Sequence, residues 1–199
     1  MSAKPFFKST AFKCIVVLLS IVLLCSVFLT ICNALFYVSD EERLNRALSE
    51  LYDGESVTTE LAPGADALGD GEEVGRAVIL AARTVTSDNH AGDWLIQVKG
   101  LDGYQSGTVT CWVVIETQEN AVSGVGAVSI SSNEGQSYIG KITQEFLNGF
   151  SENFTGEAYP DGMISSGATR SSTAIRNAVN GALDYVGNAL EESGEAEHE

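Results

Sequence analysis

The sequence predicts an α+β fold in which one N-terminal transmembrane helix precedes an exported domain with an antiparallel sheet flanked by helices. An uncharged apolar run lies near the N-terminus, β-branched and aromatic runs fill the middle of the chain, and an amphipathic pattern comes near the C-terminus. We divide the chain into a cytoplasmic N-terminus (1–13), a transmembrane helix (14–38), an exported domain (39–190) and an acidic tail (191–199).

The apolar run carries no charged residue between Lys13 and Asp40. This is long enough to span a bilayer, which needs about 20 apolar residues. Lys4, Lys8 and Lys13 precede the run without an acidic residue, so the N-terminus is expected in the cytoplasm and the rest of the chain outside it. A cleaved signal peptide is the alternative. It is disfavoured because the run exceeds the usual length of about 7 to 15 residues and no small-residue cleavage site follows.

Charge and cysteine content narrow the classes of function. All 27 acidic residues follow the apolar run, together with only eight of the 11 basic ones. Such an acidic domain is not expected to bind nucleic acid or an anionic lipid surface.

Three of the four cysteines fall in the apolar run, so the exported domain has Cys111 alone and no internal disulfide. We expect Cys111 to be a small buried residue of a strand, and no metal site is indicated.

Hydrophobic periodicity places the elements of the exported domain. Ser39 and Glu42 have the spacing of a capping box ahead of a short amphipathic helix, and residues 53–71 are predicted to form a loop. Residues 138–150 return to helical spacing. The predicted strands are 76–86, 94–99, 107–116 and 125–130.

The last predicted helix runs from about Ser171 to about Leu190 and is preceded by a run of small and hydroxyl residues. Its apolar positions are Ile175, Val179, Ala182, Leu183, Val186 and Leu190. The first N–H groups of a helix have no intrahelical acceptor and the helix dipole is positive there, so a phosphate is readily held at such a position. The alternative is an ordinary capping segment with Ser171 or Ser172 as the N-cap and Gly167 as a hinge.

This run reads Ser166-Gly167-Ala168-Thr169-Arg170-Ser171-Ser172. It resembles the flavinylation site of the FMN-binding domain family, which includes flavin-carrying components of Rnf-type ion-translocating ferredoxin:NAD oxidoreductases and of sodium-translocating NADH:quinone oxidoreductases. The resemblance implies that Thr169 carries FMN through a phosphoester bond made by a separate flavin transferase. It also implies cofactor contacts from the neighbours of Thr169, which are Ser166, Gly167, Ala168, Ser171 and Ser172.

Two further segments are compared with the family. The segment Gly103-Tyr104-Gln105-Ser106-Gly107 is similar to the family's Gly-Tyr-x-Gly turn with one extra residue. Residues 133–137 stand where the family has Glu-Thr-Pro-Gly, and only Glu134 matches that segment. The resemblance therefore adds Tyr104, from the first segment, and Glu134, from the second, to the expected cofactor contacts. The family's Asp six residues before the modified Thr is replaced here by Met163, with Asp161 two residues further back.

The resemblance implies a membrane-anchored electron-transfer flavoprotein with covalent FMN. It would be a redox component of an ion-translocating oxidoreductase in the cell membrane, with no catalytic side chain of its own. The expected partners are integral membrane and cytoplasmic subunits of an Rnf-type complex and the flavin transferase. Flavin-stacking rings are expected from Trp94, Tyr104 or Trp112. The alternatives are a stand-alone exported flavin carrier and a structural module that binds a partner.

Overall fold

The computed structural model describes residues 10–36, 40–165 and 167–196. The chain divides into two compact units, and the division falls between Arg43 and Leu44. The first unit contains the apolar helix and the second contains the sheet.

The first unit is built on helix α1 (Thr10–Phe36). Its 22-residue stretch Phe12–Asn33 reaches a mean hydropathy of 3.0 over 18 consecutive residues, and α1 is the one helix in the described part of the chain that is long and apolar enough to cross a membrane. A membrane span or signal anchor at this place agrees with the prediction for residues 14–38. Helix α1 begins at Thr10 and ends at Phe36, whereas the predicted helix begins at residue 14 and ends at residue 38. Residues 1–9 and 37–39 lie outside the described residues.

The second unit is a six-stranded antiparallel sheet with helices packed on it, as the sequence predicts. The strand order is β1-β3-β4-β5-β6, and β2 also pairs with β3. The strands are β1 (Thr59–Leu61), β2 (Glu72–Val74), β3 (Ala77–Val85), β4 (Trp94–Gly100), β5 (Thr108–Gln118) and β6 (Ala121–Glu134). The helices after α1 are α2 (Asp40–Leu51), α3 (Gln144–Glu152) and α4 (Thr169–Ala196).

Two predicted segments take a different form in the structure, and strand β2 lies where the sequence predicts no element. The segment 53–71, predicted as a loop, contains β1 and a short 3₁₀ turn, because three residues suffice for a strand when β3 offers a free edge. The predicted helix 138–150 is a 3₁₀ turn at Ile139–Lys141 followed by α3. The two are separate because the Thr143 side chain caps α3 and accepts a hydrogen bond from the Phe146 N–H at 3.2 Å.

The sheet is covered on both faces, which explains why its central strands are continuous apolar runs rather than alternating ones. On one face, Cys111, Val113 and Ile115 pack under α4 and α3. On the other, Trp112 and Val114 pack against the part of α2 that belongs to the second unit. Cys111 is fully buried in β5, as predicted, and burial raises the pKa of its thiol to about 12.

Helix α4 crosses the sheet at very short range. A Cβ atom on Gly100 of β4 would overlap the carbonyl of Ala174, so only glycine allows the approach. The helix begins two residues before the predicted start. It also continues to Ala196, so the predicted tail 191–199 is helical over its described residues, and Glu191, Glu192 and Ser193 are exposed.

Candidate functional site

The loop that leads into α4 is held in one conformation by its own hydroxyl groups. The Ser165 N–H donates to Ser172 Oγ at 3.1 Å, and Ser172 Oγ donates in turn to the carbonyl of Ala168 at 3.0 Å. The Ala168 N–H donates to the carbonyl of Ser165 at 3.1 Å. Gly167 has φ +80°, a left-handed conformation that side chains other than glycine rarely adopt. We call this segment, residues 165–172, the α4 entrance; Ser166 within it lies outside the described residues.

The α4 entrance presents a single exposed hydroxyl in the first turn of the helix. Thr169 is the first helical residue and is exposed, whereas Ser171 and Ser172 are 1% and 0% exposed. The described residues offer Thr169 Oγ1 no hydrogen-bond partner. Ser171 and Ser172 lie inside the helix, so the alternative in which one of them is the N-cap is wrong.

Buried Gln136 joins the α4 entrance to the turn that contains Tyr104. Its Oε1 accepts from the Ser171 hydroxyl at 2.9 Å and from the Tyr104 N–H at 3.0 Å. Its Nε2 donates to the carbonyl of Glu134 at 3.1 Å and lies 3.4 Å from the carbonyl of Tyr104. The Gln136 side chain therefore connects three segments: the turn that contains Tyr104, the end of β6 and the first turn of α4.

Tyr104 lies beside the α4 entrance, whereas Glu134 contributes only its backbone carbonyl, which accepts a hydrogen bond from Gln136. Glu134 ends β6 opposite Thr108, and its side chain is exposed. The Tyr104 turn is tight and locally strained, because Gln105 and Ser106 have φ values of +51° and +61°.

An aromatic pair and a lysine lie beside the α4 entrance. The rings of Tyr104 and Tyr138 meet edge to face with centroids 5.5 Å apart. The Nζ of Lys141 lies 5.1 Å from the centroid of the Tyr138 ring, within the range of a cation–π interaction. A Cβ atom on Gly167 would lie 3.3 Å from Lys141 Cδ and 3.5 Å from its Nζ, so the lysine side chain lies directly against the loop.

The charges at the α4 entrance have the sign that a helix N-terminus disfavours. The first turn of α4 has no acidic residue although the chain has 27, and it contains Arg170. Lys141 adds a second positive charge, and no carboxylate of the described residues lies within ion-pair distance of it. Anions stabilise a helix N-terminus and cations do not. An anion at this position would therefore be electrostatically favourable.

The segment between α3 and α4 is fastened along the outer face of α4. The Asn180 side chain accepts from the Tyr159 N–H at 2.8 Å and donates to the Tyr159 carbonyl at 3.0 Å. Asp161 Oδ1 lies 2.7 Å from Nη2 of buried Arg176. Asp161 is thus placed against the helix two turns beyond Thr169, although it is offset in sequence from the position of the family's Asp.

The two tryptophans named from the sequence lie away from the α4 entrance. Trp94 is buried and meets Tyr185 with ring centroids 6.4 Å apart. Tyr185 lies 16 residues beyond Thr169, which is about 24 Å along the helix. Trp112 is on the opposite face of the sheet from α4. Tyr104 is the one candidate ring of the three that lies at the site.

Sequence reasoning missed Gln136, Tyr138 and Lys141. No spacing rule connects them to Thr169, because their proximity follows from how β6 delivers the next loop under α4. The signal that marks this region, exposed apolar side chains beside a polar loop, is visible only in the structure. Tyr138 and Ile164, at 44% and 46% exposed, are two of the three exposed large hydrophobic residues found among the described residues of the second unit.

Taken together, the α4 entrance can present one free hydroxyl to a phosphoryl donor and can hold the resulting anion between a helix N-terminus and a lysine, next to an exposed aromatic surface. Compared with known proteins, the sequence matches no family model and no curated protein.

Proposed function

We propose that this protein is a membrane-anchored electron-transfer flavoprotein that carries FMN esterified to Thr169. The observation that carries the proposal is the exposed Thr169 hydroxyl at the start of α4, where the surrounding charges call for an anion. The likeness of residues 166–172 to the flavinylation site of the FMN-binding domain family supports the same residue.

The residues present suit an FMN phosphodiester in three respects. The linkage keeps one negative charge, which the positive end of α4 complements. Gly167 leaves room that a Cβ atom would narrow. Tyr104 and Tyr138 offer an exposed aromatic edge on which a flat apolar ring system can rest.

Attachment requires a flavin dinucleotide as donor and a separate transferase. Thr169 Oγ1 forms the new bond to the phosphorus on the FMN side of the donor's pyrophosphate. The pyrophosphate P–O bond breaks, the nucleoside monophosphate leaves, and the hydroxyl proton passes to a base of the transferase. No redox change occurs in this step.

When bound, FMN supplies one- and two-electron transfer chemistry. The protein's own residues then hold and orient it rather than act as acids or bases. The helix N-terminus would bind the phosphodiester, and Gln136 keeps the Tyr104 turn against the first turn of α4. The ion pair between Asp161 and Arg176 fixes the preceding segment on the helix.

The N-terminal helix supports a place for this carrier in a membrane complex. We propose that the second unit lies on the extracytoplasmic side and exchanges electrons with integral membrane subunits of an Rnf-type ion-translocating complex, whose cytoplasmic subunits complete the electron path. A stand-alone exported flavin carrier is the second candidate, and the same helix favours an anchored form of it.

The test is covalent flavin on the full chain produced together with a flavin transferase. Thr169→Ala should abolish in-gel flavin fluorescence and remove the mass increment of one esterified FMN, because Ser171 and Ser172 are buried. Thr173→Ala is the matched control. It removes a threonine hydroxyl one turn later, which donates to the Thr169 carbonyl at 2.8 Å, and it should leave flavin incorporation unchanged.

Flavin that persists on the Thr169→Ala protein would refute the assignment of this residue. A wild-type chain that gains no flavin mass in the presence of active transferase would refute the proposed function and favour the structural module. The Thr169→Ala protein should otherwise fold and assemble normally, so its membrane complex should be present but inactive in ion-coupled electron transfer.

A further inference from the structure

Lys141 is the residue at the α4 entrance whose position the sequence does not explain. It is the last residue of the 3₁₀ turn that begins at Ile139, and it lies close to the positive end of α4 in a chain of net charge −16. Here its described neighbours are an aromatic ring, a glycine and the loop that precedes Thr169.

The structure holds the ammonium group in place from two sides. The Tyr138 ring lies under Nζ at 5.1 Å from its centroid, and the stem of the side chain runs against Gly167. The Lys141 backbone also meets the loop, since its carbonyl lies 3.5 Å from Ser165 Oγ. Arg170, the other cation, has no such contact with the described residues. Lys141 is therefore the ordered cation of the two.

We propose that Lys141 is the counter-ion of the phosphodiester on Thr169 and that Tyr138 positions its ammonium group for this role. The inference rests on the proposed function and adds to it a binding residue outside the family's motif. Before modification, Lys141 and the helix N-terminus repel each other. After modification, the phosphodiester lies between two positive groups, and the same lysine becomes stabilising.

The effect of Lys141 on stability is thus unfavourable before modification and favourable after it. A residue with a purely structural role would have the same effect in both forms. The experiment uses the full chain in detergent, unmodified and modified, and measures two quantities. The first is the initial rate of covalent flavin incorporation by purified transferase. The second is the midpoint of thermal unfolding by circular dichroism. The variants are Lys141→Gln, the charge-conserving Lys141→Arg, and Arg170→Gln as a matched removal of the neighbouring charge.

Lys141→Gln should leave the midpoint of the unmodified protein unchanged or raise it. It should lower the midpoint of the modified protein and slow flavin incorporation about two- to fivefold at low ionic strength. Added salt should shrink the difference from wild type. Lys141→Arg should restore most of the rate, and Arg170→Gln should have a smaller effect than Lys141→Gln on both quantities.

Tyr138 is tested by the pair Tyr138→Phe and Tyr138→Leu. Phenylalanine keeps an aromatic face under Nζ and should behave like wild type, whereas leucine should reproduce part of the Lys141→Gln effect. Equal behaviour of the two variants would refute the positioning role.

Two outcomes would overturn the role of Lys141 while leaving the proposed function intact. One is a wild-type chain that gains flavin together with a Lys141→Gln chain that matches it in rate and in flavin-dependent midpoint. The other is a Lys141→Gln substitution that lowers the midpoint of the unmodified protein at least as much as that of the modified protein, which would make Lys141 a structural residue. Failure of the wild type to gain flavin is a different result, because it would refute the proposed function itself.

Discussion

Gln136 is the residue that connects the candidate site to the sheet. It is 6% exposed, and both atoms of its amide are bonded, with the Ser171 hydroxyl and the Tyr104 N–H as the donors to its oxygen. A buried polar group that loses its partner costs about 1–3 kcal/mol. The amide thus contributes to stability and also determines where the Tyr104 ring lies relative to Thr169.

We therefore expect Gln136→Leu to lower the free energy of unfolding by about 2–3 kcal/mol, because it leaves the Ser171 hydroxyl and the Tyr104 N–H unpaired. Thermal or denaturant unfolding can be followed by the fluorescence of the two tryptophans, which are both buried in the second unit. The control is Gln144→Leu, whose amide meets only the exposed Asn148 and whose loss should cost less than about 0.5 kcal/mol.

A double variant tests the bond itself. Ser171→Ala removes one of the two groups that Gln136→Leu leaves unpaired, so the combined loss should be smaller than the sum of the single losses. Strict additivity would show that the Ser171 bond contributes nothing and that Gln136 acts through other contacts.

At the scale of elements, the packing of α4 on the sheet depends on where its glycines lie. A Cβ atom on Gly181 would come within 2.5 Å of the Ala77 Cβ of β3, whereas a Cβ atom on Gly187 would meet nothing within 4 Å. Both glycines are in the interior of the same helix, so they share the entropic cost of glycine and differ only in the space around them.

Gly187→Ala should accordingly raise the free energy of unfolding by about 0.5–1 kcal/mol. Gly181→Ala should lower it by about 1–3 kcal/mol, because the helix must move away from β3 to accept the methyl group. Chemical denaturation of the two variants beside wild type measures both values. If both substitutions changed the free energy of unfolding in the same direction, α4 would not approach β3 as closely as described.

Most of the sheet and the final helix could be predicted from the sequence, whereas the outer parts of the site could not. The runs that became β3 to β6 are rich in β-branched residues, and the α4 face repeats at about 3.6 residues, so local pattern sufficed. β1 is only three residues long and exists because β3 pairs with it. The positions of Gln136 and Lys141 depend on tertiary packing, and no local rule relates them to α4.

At the scale of the whole molecule, the charges near the N-terminus predict the orientation of the chain in a membrane. Lys4, Lys8 and Lys13 precede the uncharged apolar run without an acidic residue between them, which favours a cytoplasmic N-terminus. An alkaline phosphatase reporter fused after Glu199 should therefore be active, since this enzyme works only outside the cytoplasm. A fluorescent protein that folds only inside the cytoplasm should be dark at the same position.

Replacement of the three lysines by asparagine supplies the comparison for this test. Because the charge bias is then lost, phosphatase activity per molecule should fall and part of the population should take the opposite orientation. Fluorescence of the cytoplasmic reporter on the unaltered chain would show that the orientation is the opposite of the predicted one. The α4 entrance would then lie on the wrong side for the proposed complex.

The burial of Cys111 has a consequence for how the second unit tolerates changes in its redox surroundings. It is the one cysteine of the second unit, it is fully enclosed in β5, and burial raises the pKa of its thiol to about 12, so almost none is thiolate at neutral pH. The scaffold consequently has no covalent bond that a shift in the surrounding oxidant or reductant supply can make or break. The second unit can therefore reach the same native state in oxidising or reducing surroundings, without oxidative folding machinery.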